Sequence, residues 1–170
     1  MRISFFRTTR ETEPLVLQVE IENRNLTMLG AYVQAPFKYP ETHAAGKEKV
    51  LKIVRLLCDS TPEGNSYLML ADNNAEEPIR IQHAGRGTQD IALFPDELKA
   101  FIRGVREIAT AVRDETGLPV LFYYHCPEYV ATRAEIDCLL DNTAPALINL
   151  GFDPGHFVFG GGPCSPYNDC

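Results

Sequence analysis

The sequence predicts an α+β domain: a mostly antiparallel sheet with two long helices and one broken helix packed on it. Three features carry that expectation. Residues 15–22 alternate apolar and polar, turn at 23–25 and return over 26–33, the pattern of a hairpin. Short runs at 79–83 and 91–94 flank a glycine-bearing loop and read as a second hairpin. Long 3.6-residue stripes then occupy 42–58 and 95–116.

Taken in order, residues 3–8 alternate and predict a first strand. In the run after Pro14, Leu15, Leu17, Val19 and Ile21 would face a core while Gln18, Glu20 and Glu22 face water. Pro36 and Pro40 break the chain, and Thr42 opens a helix whose stripe is Val50, Ile53, Val54 and Leu57, with Cys58 in line. A polar loop at 59–65 precedes a strand at 67–71. Pro95 suits the first turn of a helix that buries Phe101, Ile102, Val105 and Ile108 and stops at Gly117. Residues 118–124, including Val120, form an unalternating apolar strand, which predicts a central position. Thr132 and Glu135 make a capping box for a helix that Pro145 interrupts. Residues 156–159 read as a last strand, and the domain is expected to span 1–160 with an irregular tail at 161–170.

Composition narrows the function. The chain has 170 residues, 45% hydrophobic and 23% charged, which excludes general disorder. Sixteen Lys and Arg against 23 Asp and Glu leave a formal charge of −7, which argues against nucleic acid or an anionic membrane as partner. No apolar run is long enough to span a bilayer, and the first 13 residues lack the apolar core of a signal peptide. Five cysteines without a secretion signal predict free thiols in the cytoplasm. Arg133 is the last Lys or Arg; beyond it lie Glu135, Asp137, Asp141, Asp153 and Asp169. This acidic flank points to a small intracellular binding protein that recognises and neutralises a basic protein, in the manner of inhibitor or immunity proteins. Its contact residues would be Glu135, Asp137 and Asp141; Arg86 and Arg133 are the other candidate binding residues.

Two further readings stay open, and whether the chain is an enzyme is left undecided. The segment 123–133 runs from an apolar strand through His125 and Cys126 to Thr132 and Arg133. It resembles the tyrosine-phosphatase signature, a strand leading to His-Cys and on to an Arg, and that resemblance implies a nucleophilic Cys126 with Arg133 on a phosphate. It departs from the signature in having six residues between Cys126 and Arg133, no glycine in the loop, and Glu128 where a phosphate would sit. A cysteine- or metal-dependent enzyme would therefore centre on His125 and Cys126, with His83 or His156 as the base across the sheet edge. Cys138, Cys164 and Cys170 are weak metal ligands, because no C-x₂-C pair exists among them. Alternatively, the loop 83–90, with His83, Arg86 and two glycines, would contact a small anionic ligand. No nucleotide or cofactor fingerprint is present, and none is expected to bind.

Overall fold

The computed structural model describes residues 2–6, 13–61, 66–73 and 76–163, the first of these as backbone only. The elements alternate β1 (Arg2–Phe6), α1 (Pro14–Asn23), β2 (Leu26–Gln34), α2 (His43–Ser60), β3 (Tyr67–Ala71), α3 (Pro78–Gln82), α4 (Pro95–Thr116), β4 (Val120–Tyr123), α5 (Arg133–Asp141), β5 (Asn149–Gly151) and α6 (Pro154–Phe159). The five strands form one sheet in the order β1-β2-β3-β4-β5, and every pairing is parallel. The expected antiparallel α+β sheet is therefore wrong: this is an α/β arrangement.

The topology has a physical consequence. Each crossover advances one place along the sheet, and parallel crossovers share one hand, so the helices collect on a single face. That is the winding of a βα barrel, of which these strands form an arc. On the helix side, Ala31, Val33, Leu68, Leu70, Val120 and Phe122 are buried. Val50, Val54 and Leu57 of α2 and Phe101, Val105, Ile108 and Val112 of α4 pack on them. On the other face the register lines up Tyr32, Met69 and Leu121, all half-buried. Three rings, Phe37, Phe101 and Phe122, close the core at the C-terminal ends of the strands.

Three segments expected as strands are helices. Residues 15–22 lie in α1, entered through Pro14 at its first turn. Parallel strands cannot be joined by a two-residue hairpin, so the chain between β1 and β2 must cross over. The alternating pattern then faces no sheet: Leu17 is buried, but Leu15 is 74% and Val19 51% exposed. Residues 79–83 fall in α3 and its end, again after a proline, and 91–94 belong to a single 3-10 turn and the entry to α4. Residues 156–159 lie in α6, because the Asp153 carboxylate accepts the His156 amide at 2.9 Å and Pro154 opens the helix. Conversely, 144–150 read as the second piece of the broken helix, with Gly151 as its stop, but 149–151 pair with β4 as β5.

The two long stripes form as expected, α4 ending in Gly117 at φ +70°. The capping box of α5 also forms, with the Thr132 amide donating to Glu135 Oε2 at 2.9 Å and the Glu135 amide donating to Thr132 Oγ1 at 3.4 Å. Among the described residues, no helix is long and apolar enough to cross a membrane.

Candidate active site

In a parallel sheet every strand delivers its next residue to the same edge, and ligands bind outside those carboxyl ends. Here β2 leads to Phe37 and Lys38, β3 to Asp72, β4 to Tyr124, His125, Cys126 and Glu128, and β5 to Asp153 and His156. Most of the unusual chemistry of the chain gathers at this edge.

Two pairs form its centre. Glu128 is fully buried, and its carboxyl turns back on its own loop: Oε2 accepts the His125 amide at 3.1 Å, and Oε1 lies 2.6 Å from His125 Nδ1. Burial pushes the Glu128 carboxyl up to about 9. Burial likewise holds His125 below its ordinary value. In the second pair, Cys126 Sγ lies 3.4 Å from His156 Nδ1 and 3.3 Å from the His156 carbonyl. Desolvation, then the nearby Asp153 and Glu128 charges, raise the Cys126 thiol, and desolvation lowers His156. The two imidazole rings stand 4.9 Å apart, edge to face, with Tyr123 4.8 Å and Tyr32 5.9 Å from His125. Among the described residues, no buried side-chain nitrogen or oxygen lacks a partner, and neither Nε2 is hydrogen-bonded. Both Nε2 atoms therefore reach solvent.

Asp153 ties the pairs to the sheet. It accepts Tyr123 Oη at 2.6 Å on its carboxylate and Tyr124 Oη at 2.8 Å on its carbonyl. The Tyr123 hydroxyl and the α6 amides hold its carboxyl below the usual range. Beside Glu128 lies a polar hollow of about 160 Å³, lined by Lys38, Asp72, Glu77, Glu128 and Tyr129 among others. Burial, then the neighbouring Glu128, raises Asp72 to about 8. Lys38 Nζ donates to Tyr129 Oη at 2.9 Å, and Tyr129 donates on to Glu77 at 2.7 Å. A larger hollow of about 800 Å³ lies along α4, lined by Lys99, Arg103, Arg106 and Asp114 with Lys47 of α2 and Asn142 after α5.

The structure thus brings His125, Cys126 and His156 together. His83 ends α3 and makes no hydrogen bond to this group. Arg86 is hydrogen-bonded to the Gln82 carbonyl, and the 83–90 segment is a helix end rather than a hairpin loop. Arg133, set beside Cys126 by the phosphatase resemblance, is exposed at the start of α5 and pairs with Asp137 at 3.6 Å. Asp137 and Asp141 are exposed on α5, whereas Glu135 is turned inward on Arg80. Cys138 is half-buried near Asn142, and Cys58 and Cys126 are also free; Cys164 and Cys170 lie outside the described residues. Among the described residues, no group of three or more His, Cys, Asp or Glu is arranged to hold a metal ion.

Sequence reasoning missed Asp72, Arg80 and Asp153, and read Glu128 only as an obstacle to an anion. Asp153-Pro154 carries an N-cap signal that was there to be read; Asp72 and Arg80 carry none, since burial of a charged side chain has no local pattern.

No family model matches the chain. Inosose dehydratase 1 of Bacillus cereus is 35% identical over 86 residues, covering 46% of this chain and 28% of the relative. Inosose dehydratase of Bacillus anthracis is 34% identical over 86 residues with the same coverage. The match therefore spans little more than a quarter of these relatives. It still overturns the expectation of an inhibitor- or immunity-like binder, because the relatives are dehydratases, which are enzymes, and the fold is the parallel one.

Proposed function

We propose that this chain carries the proton-handling part of a dehydratase site acting on a polyhydroxylated cyclic ketone of the inosose kind. The observation that carries the reading is the pairing of His125 with Glu128, and of Cys126 with His156, at the C-terminal edge of a parallel sheet. The likeness to inosose dehydratases supplies the substrate class.

Loss of water beside a carbonyl needs two proton transfers. A base removes the proton on the carbon next to the carbonyl. An acid protonates the hydroxyl leaving from the following carbon, and an enone and water result. The Nδ1 partners divide these roles between the two histidines. Cys126 donates S–H to the His156 carbonyl and its sulfur accepts from Nδ1–H, which leaves the lone pair of His156 on Nε2 as the base. Glu128, protonated near neutral pH, donates to His125 Nδ1, which leaves Nε2–H of His125 as the acid. Tyr32 and Tyr123, edge to face at 6.1 Å, offer apolar ring surface for the C–H side of the substrate.

The test is turnover of an inosose by the folded protein, followed as absorbance of the conjugated enone. Wild type turns over; His125→Ala and His156→Ala each lose roughly 10²–10⁴-fold. The rate persists as pH falls to the ordinary histidine value, because desolvation holds His156 below it, and declines as Glu128 ionises near 9. Folded wild-type protein that turns over no inosose overturns the reading. We place the activity in the cytoplasm, on the ground that Cys58, Cys126 and Cys138 are all unbridged.

A further inference from the structure

Arg80 is the least expected side chain near this site. It sits on α3, after β3, and is only 2% exposed. A buried guanidinium is tolerated only where its donors are met. Here they are met chiefly by one neighbouring loop. Nε donates to the Glu128 carbonyl at 2.9 Å, and Nη2 donates to the same oxygen. Nη1 and Nη2 fork onto the two carboxylate oxygens of Glu135 at 2.9 and 3.1 Å. Glu135 Oε2 in turn accepts the Ala131 and Thr132 amides at 3.0 and 2.9 Å. The loop from Glu128 to the start of α5 is thus gripped at both ends by one cation. The Glu128 backbone is further fixed by its amide, which donates to the His125 carbonyl at 3.0 Å. Its side chain then has one place to go, back onto His125. The packing leaves little slack: a Cβ on Gly87 would lie 3.0 Å from Thr132 Cγ2 and 3.7 Å from Arg80 Nη1.

We propose that Arg80 is a positioning residue, which by clamping the Glu128 carbonyl and Glu135 sets the seat from which Glu128 holds the His125 ring in one orientation and one tautomer. It touches neither ring itself and acts through the loop. The proposal rests on the reading that His125 handles a proton, yet its first readout needs no activity. A bidentate fork is what the site uses, so lysine, which keeps the charge but offers a single ammonium, is the informative replacement.

The experiment is ¹⁵N spectroscopy of the histidine rings in the whole chain, wild type against Arg80→Lys, with His156 as internal reference. His156 takes its Nδ1 partner from Cys126 and is outside the clamp. The expected result is that the His125 ring nitrogens move from a single-tautomer pattern to an averaged one, while His156 is unchanged. Inosose turnover then falls on the order of a hundredfold with KM within about twofold, since a small misplacement of a reacting group costs that much in rate. A folded Arg80→Lys protein with His125 unchanged overturns the proposal, as does equal averaging of both histidines, which marks a general loosening. If Arg80→Lys does not fold, Glu135→Gln decides, because it keeps the amide acceptor of the capping box and removes the charge under the guanidinium. Selective averaging of His125 in that variant supports the clamp, and an unchanged His125 refutes it. Absence of turnover in wild type with selective averaging present defeats the functional reading and leaves the positioning role standing.

Discussion

Cys126 shows how environment decides the use of a side chain. A thiol at a strand end before a helix invites reading as a nucleophile, but its sulfur is buried and its thiolate would face Asp153 and Glu128. Desolvation, and after it the Asp153 carboxylate, favour the neutral thiol, which suits Cys126 to a hydrogen-bond partner of His156 rather than an attacking group. Alkylation of the folded protein near neutral pH should label half-buried Cys138 well before Cys126, as read by peptide mapping. Faster labelling of Cys126 would restore the nucleophile. Glu128 is the converse case, a carboxyl kept as an acid by burial. Glu128→Gln preserves the shape of that acid and its contacts to His125 while removing the cost of keeping a proton that the unfolded chain loses. At pH 8 it should raise the melting temperature by roughly 10 °C, for a gain of about 3–5 kcal/mol, and at pH 5, close to the ordinary carboxyl value, by far less.

Among the elements, α1 and α4 give opposing tests. Val19 would be a core residue in the hairpin and is a surface residue in α1. Val19→Glu should therefore alter stability by no more than about 0.5 kcal/mol in urea unfolding, where a core strand would lose several. In α4, Gly104 looks like a helix defect that Ala would repair by ~1 kcal/mol. Its Cβ, however, would meet His43 Cε1 and Nε2 at 2.7 Å, and His43 is held by the Phe37 carbonyl at 2.8 Å. The clash outweighs the propensity, and Gly104→Ala should destabilise by roughly 1–3 kcal/mol. Val105, fully buried on the same helix, admits no charge: Val105→Asp should cost ~3–5 kcal/mol, seen as a large drop in the unfolding midpoint.

The whole molecule carries a pH signature that follows from its buried groups. Asp72 and Glu128 are raised in the folded state, to about 8 and about 9, from ordinary values of 3.8 and 4.5. Over that window the unfolded chain binds fewer protons than the folded one, so their contribution is full at low pH and is lost as pH climbs through 8 and 9. His125 and His156 are lowered, so their contribution is present above 6.5 and lost as pH falls below it. The two effects oppose each other in mild acid, and only the carboxyls act above 6.5. Melting temperature should therefore decline steadily from pH 6.5 to 9, and Asp72→Asn with Glu128→Gln should flatten the slope. A flat wild-type profile would contradict the burial of both carboxyls.

Much of the fold is legible locally. The stripes of α2 and α4, the Thr132–Glu135 cap, the stop at Gly117 and the strands at 26–34, 67–71 and 120–123 all follow from side-chain period and backbone preference within a few residues. So do the histidines and Cys126 at element ends. Strand direction is different, because an apolar strand reads the same whether its neighbour runs with it or against it. Only the packed sheet decided that β2 lies parallel between β1 and β3, and that decision turned the alternating residues 15–22 into a crossover helix. It also decided the site. Parallel pairing sends every strand end to one edge, and so placed Asp153 and His156 beside Cys126 and buried Glu128 against His125 across separations that no sequence period encodes.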